Sequence, residues 1–161
     1  MAIELNRFFM NKCCLKFGLI LLFIGISQNI MAHDIPNGVL GPLPSASDYY
    51  LIECRNDESG AGDSVRLEVT LTSLLKNGPV VSLQVKTENP LYVTNITDAV
   101  GGDKTSSMKA TVANDNNGTA NGFYYFTVNK SKAGIQKYQI KFHCLSKSGH
   151  AGTEVSMIQN Q

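Results

Sequence analysis

Val65-Arg-Leu-Glu-Val-Thr-Leu-Thr72 alternates without a break, with Val65, Leu67, Val69 and Leu71 on one side of an extended chain and Arg66, Glu68, Thr70 and Thr72 on the other. A period of two is that of a β-strand with one face in a core and the other in water. The same period recurs in both directions. Tyr50, Ile52 and Cys54 share a face upstream, opposite Tyr49, Leu51 and Glu53, and Val81, Leu83 and Val85 alternate with Ser82, Gln84 and Lys86 downstream. Further strands are expected over Leu91 to Thr97 and over Ser107 to Ala113, the latter with Met108, Ala110 and Val112 on one side. Phe123 to Val128 should turn Tyr124, Phe126 and Val128 inward, and Tyr138, Ile140, Phe142 and Cys144 should do the same before a terminal strand near Thr153 to Ile158. Asn77-Gly-Pro79 and the polar run from Ala113 to Gly122 punctuate these segments as turns.

Seven to eight short strands with turn signals between them, and no amphipathic helix, predict an all-β chain. Its expected form is a two-sheet antiparallel β-sandwich, immunoglobulin-like or jelly-roll-like. Residues 48–161 would form this domain. Residues 33–47, with Pro36, Gly38, Gly41, Pro42 and Pro44, read as an exposed lead-in outside regular structure.

Residues 1–32 read as a signal peptide of bacterial type. Arg7, Lys12 and Lys16 precede ten apolar residues, Phe17 to Ile26. Ten helical residues reach about 15 Å, half of a ~30 Å hydrocarbon core, so no permanent membrane span is expected. Small residues suit cleavage after Ala32 or after Ser27, and the first is favoured; Met10 offers a second start for a tighter signal. Cys13 and Cys14 precede the apolar run and would leave with it. Cys54 and Cys144 would remain in an oxidising compartment, secreted, periplasmic or at the cell surface, where a disulfide is the expected state. Closing a loop of that length contributes about 4–5 kcal/mol by chain entropy.

The whole chain has 161 residues with 14 Lys+Arg against 13 Asp+Glu, and residues 33–161 keep 11 against 12. Such near-neutrality gives no electrostatic case for a nucleic-acid partner. Enzymatic chemistry is not expected either. There is no Gly-x-Ser-x-Gly elbow, Lys147-Ser-Gly-His150 reads as a turn, and the acids are scattered among loops.

The pattern Asp48-x-Tyr50, Val65-x-Leu67-x-Val69, Val81-x-Leu83-x-Val85, Gly122-Phe-Tyr-Tyr-x-x-Val128 and Tyr138-x-Ile140-x-Phe142 resembles the bacterial pre-peptidase C-terminal domain. The likeness covers residues 48 to 144, with Phe142 standing where the family's closing strand has Val. It implies a small non-catalytic exported β-sandwich, of a kind often appended to secreted hydrolases and sometimes binding calcium or an extracellular polymer. Phe142-His-Cys144 also resembles the Tyr-x-Cys strand of immunoglobulin domains, although the chain has no Trp to pack on the disulfide.

Binding or structure is therefore the expected role, with an extracellular or periplasmic ligand and no cofactor needed for folding. The chain has three histidines, and cleavage after Ala32 would make His33 the new N-terminus. A terminal amine and its own imidazole chelate copper, and a second imidazole would complete a T-shaped set of three nitrogens; this resembles the copper brace of polysaccharide monooxygenases in the terminal residue only. His143, outward on its strand, and His150, in the next loop, are the candidate partners. Oxygen donors for calcium occur in three loops, at Asp57, Glu58 and Asp63, at Asp98 and Asp103, and at Asp115 to Asn117. A third expectation is a surface filament subunit, self-assembling by exchange of the Gly/Pro-rich lead-in between neighbours.

Overall fold

The structure, a computed structural model, describes residues 33–56, 62–88, 92–113 and 119–161. The expected signal segment and its cleavage sites lie outside these residues, as do Asp57, Glu58 and Asp115 to Asn117. Among the described residues there are nine strands: β1 (His33–Leu40), β2 (Asp48–Arg55), β3 (Arg66–Ser73), β4 (Val81–Thr87), β5 (Val93–Asp98), β6 (Ala110–Val112), β7 (Gly122–Lys130), β8 (Gln136–Leu145) and β9 (Gly152–Gln159). They form two antiparallel sheets, one of four strands ordered β1-β8-β3-β6 and one of five ordered β5-β4-β7-β2-β9. The fold is an all-β sandwich. No described helix is long and apolar enough to cross a membrane.

The alternation in the sequence becomes the core. Leu67, Val69 and Leu71 of β3, Tyr124, Phe126 and Val128 of β7, and Tyr138, Ile140, Phe142 and Cys144 of β8 are all buried between the sheets. Phe126 meets Phe142 edge to face across the two layers, with ring centres 5.8 Å apart, a favoured geometry for aromatic quadrupoles. Cys54 of β2 and Cys144 of β8 are joined by a disulfide, their Cα atoms 5.5 Å apart, so the tie runs from one sheet to the other. Three buried polar side chains are bonded to one another between the sheets. The Tyr138 hydroxyl donates to the Asp48 carboxylate and lies 2.7 Å from the Tyr50 hydroxyl, while Asp48 also accepts the Gln161 N–H at 2.8 Å.

Two expectations change. Residues 33–40 are not part of an exposed lead-in; they form β1, the edge strand of the four-stranded sheet. Proline is tolerated there because one side of an edge strand donates to no neighbour, and the register slips between Ile35 and Gly38, around Pro36. Gly38 then lies flat on the Tyr138 ring: a Cβ at that position would fall 2.1 Å from the ring. The segment expected to serve as an exchanged arm is thus paired with β8 of its own chain. The second change concerns Met108, which stands 88% exposed ahead of β6, because that strand is only three residues long.

Candidate functional site: the histidines beside β8

β8 has β3 along one side and β1 along the other. On the β3 side, Leu145 accepts a hydrogen bond from Val65 N–H at 2.7 Å. The chain then reverses through Ser146 to Gly149, where Ser146 N–H donates to Gly149 C=O at 2.8 Å and the Ser146 hydroxyl accepts Gly149 N–H at 3.0 Å. This turn returns the chain along the other edge of β8, where His150 bridges Leu145 and Ala151 N–H donates to Cys144 C=O at 2.8 Å. β1 arrives along that same edge from the opposite end, and its ladder reaches His33 opposite Phe142. The edge is therefore shared. β1 takes it up to Phe142, which His33 faces, and residues 150 and 151 take it from Cys144 onward.

By register His33 shares the inward phase of Phe142, whereas His143 shares the outward phase of Glu68. His143 and His150 stack obliquely, with ring centres 5.1 Å apart and planes at 63°. The His33 ring lies 6.2 Å from that of Phe142. Each of the three residues is half-buried, and the Nδ1 atom of each is buried with no hydrogen-bond partner in the protein. Among the described residues one other buried side-chain polar atom shares that condition, Ser73 Oγ. Buried polar groups are normally paired, so an orphaned imidazole nitrogen on each of the three is an anomaly that a ligand would resolve.

Burial is the main force pushing the His33 and His143 imidazoles below the ordinary histidine value, and His150 adds to it in both cases; Asp34 opposes the shift at His33 and Glu68 opposes it at His143. This favours the neutral ring in both, the form that offers a lone pair to a metal. Glu68 faces His143 across the β3–β8 ladder. Its carboxylate is taken by Lys109 Nζ at 2.8 Å and Arg66 Nε at 2.9 Å, and these two cations hold it below the usual carboxylate range.

Of the three histidines that the sequence named for one site, the structure brings His143 and His150 into ring contact and sets His33 on the neighbouring strand, within electrostatic reach of both. No three His, Cys, Asp or Glu side chains among the described residues stand in closed ligand geometry for a metal ion. A set made of an α-amine and two imidazoles does not require three side chains. Sequence reasoning missed the Arg66–Glu68–Lys109 cluster beside His143; its signal was the outward phase that Arg66 and Glu68 share on β3. The described acids named for calcium have other work. Asp98 accepts the N–H groups of Ser73 and Val100, Asp103 accepts Thr105 N–H, and Asp63 accepts the side-chain amides of Asn56 and Asn121. They serve as turn acceptors in separate loops.

No protein-family model matches the chain, and no curated protein matches it. The likeness of residues 48 to 144 to the pre-peptidase C-terminal domain therefore rests on its residue pattern alone.

Proposed function

We propose that the chain is an exported, non-catalytic copper-binding protein that carries one ion on His33, His143 and His150. In this reading the signal is removed after Ala32, and the freed α-amine and imidazole of His33 supply two nitrogens. His143 supplies the third, and His150 closes the site or completes the ligand set. The observation that carries the reading is the contact of His143 with His150, ring centres 5.1 Å apart, with His33 within electrostatic reach and the Nδ1 atom of each of the three buried and unpartnered. The donor set favours copper(II), because nitrogen donors in a T or square suit its tetragonal preference, while both cysteines nearest the core are held in the disulfide and offer no thiolate for zinc. Export is supported by the signal-like segment and by the disulfide itself.

The test begins with the mass of the exported protein, which should correspond to a chain starting at His33. Copper(II) titration should then give one tight equivalent with nitrogen hyperfine structure in its electron paramagnetic resonance spectrum. His143→Ala should weaken binding by about a hundredfold or more, and so should retention of Ala32, which removes the free amine. A mature chain beginning elsewhere, or copper binding indifferent to His143→Ala, would remove the reading.

A further inference from the structure

The two flanks of the sandwich are closed differently. At one, β5 of the five-stranded sheet folds against β3 and β6 of the other. At the opposite flank β9 is held almost wholly by β2, and its contacts with the four-stranded sheet are slight. Val155 and Met157 pair with Ile52 and Tyr50, and so take the same inward phase. Ile52 and Tyr50 are buried, yet Val155 and Met157 stand 40% and 51% exposed. Ile158, at the bulge where the regular ladder ends, is exposed too. The other exposed large hydrophobics, Met108 and Ile135 among them, lie outside the strands or singly within them; β9 is the described strand that gathers three within four residues.

An edge strand presents a row of unpaired N–H and C=O groups, and proteins blunt such edges with proline, bulges, short length or cover. Three of the four sheet edges here are blunted. β1 holds Pro36 and a bulge, β6 has three residues, and β5 is covered by β3 and β6. β9 has neither proline nor lysine, and its one charged residue, Glu154, is bonded to Arg55 at 3.1 Å. Its own bulge falls near the C-terminal end, so Gly152 to Met157 pair regularly with β2, and no described strand pairs with their other side.

We propose that this edge pairs with the same edge of a second copy, antiparallel about a two-fold axis at Val155, so that the two five-stranded sheets continue into one. A second copy is the fitting partner because the strand complements itself. The pairing sets Val155 opposite Val155, Met157 opposite Thr153 and Glu154 opposite Ser156, with the inward apolar groups on one face and no charge directly opposite its like. Val155 and Met157 of the two copies then cover one another. Five paired residues make a small interface of the transient class, with a dissociation constant on the order of 10–100 μM. No histidine or metal takes part, so the pairing stands apart from the copper reading.

Sedimentation equilibrium of the purified protein, from about 5 μM to about 1 mM, should show the mass rise to that of a dimer and stop there, as a closed two-fold requires. Val155→Lys sets two ammonium groups face to face and should weaken association about tenfold or more, while Met108→Lys, exposed away from this edge, should change it less than about twofold. Val155→Cys should oxidise to a covalent dimer, because residues paired on the axis bring their Cα atoms about 4.5–5.5 Å apart, within disulfide reach, and Met108→Cys should not. That pair keeps the test decisive if Val155→Lys loses the far-ultraviolet spectrum of the folded chain. The proposal is overturned if the protein stays monomeric throughout, which would leave the edge to a strand of another protein, if the mass grows past the dimer, or if the Met108 variants behave as the Val155 variants do.

Discussion

Tyr138 does two jobs at once. Its ring is the floor on which Gly38 brings β1 against the sheet, and its hydroxyl, bonded to Asp48 and Tyr50, satisfies three buried polar groups together. Tyr138→Phe keeps the floor and removes the bond. Asp48 and the Tyr50 hydroxyl would then each lose a buried partner, at a cost of about 1–3 kcal/mol that urea denaturation would read. The same network sets an alkaline limit. Burial raises the phenols of Tyr50, Tyr124 and Tyr138 above the ordinary value of 10.0, and for Tyr138 its bonds to Asp48 and Tyr50 add to the rise. In the unfolded chain these phenols would ionise near that ordinary value. Folding therefore holds protons that the unfolded state gives up, so the stability they contribute is complete below pH 10 and falls as pH rises beyond it. Tyrosinate absorbance from these three residues should appear together with loss of near-ultraviolet circular dichroism; its appearance in a still-folded protein would contradict their burial.

At the scale of elements, the disulfide ties β2 of one sheet to β8 of the other across a separation of 90 residues. Cys54→Ser/Cys144→Ser should lower unfolding free energy by up to about 4–5 kcal/mol, less whatever the denatured chain retains of structure. Because the loss acts largely on the unfolded chain, the denaturation slope should steepen as the midpoint falls, whereas a defect confined to the folded core would move the midpoint alone. Strands were legible to the degree that they alternate. β2, β3, β4, β7 and β8 announce their inner faces in sequence, and Cys54 and Cys144 both fall in the inward phase, as the bridge requires. β1 was not legible. Its hydrogen bonds go to one neighbour and its bulge absorbs Pro36, so the usual strand-breaking signals lose their force at an edge. The three histidines were legible as candidates for one site, and their geometry was not. It depends on how β1 and residues 150 and 151 share the edge of β8, and periodicity within one strand carries no information about register between strands.

For the whole molecule, ligand binding and stability are linked, and the proposed site makes the linkage unusual. An ion that binds the folded state alone at a hundred times its dissociation constant adds about 2.7 kcal/mol, which for a domain of this size raises the melting temperature by on the order of 10 °C. The α-amine and imidazole of His33, however, lie next to each other in the chain and chelate copper whether or not the sandwich is folded. Only the donors that folding brings to them, His143 and His150, distinguish the two states. The thermal gain with copper(II) should therefore fall short of the figure expected from total affinity, and the shortfall measures the local chelate. In His143→Ala the gain should nearly vanish although the terminal chelate still takes up metal, and in a chain that retains Ala32 both the gain and the uptake should drop. Differential scanning calorimetry with and without a chelator reads all three. If His143→Ala kept the full thermal gain, the imidazole gathered by β8 would not be holding the ion, and the fold would have no part in binding it.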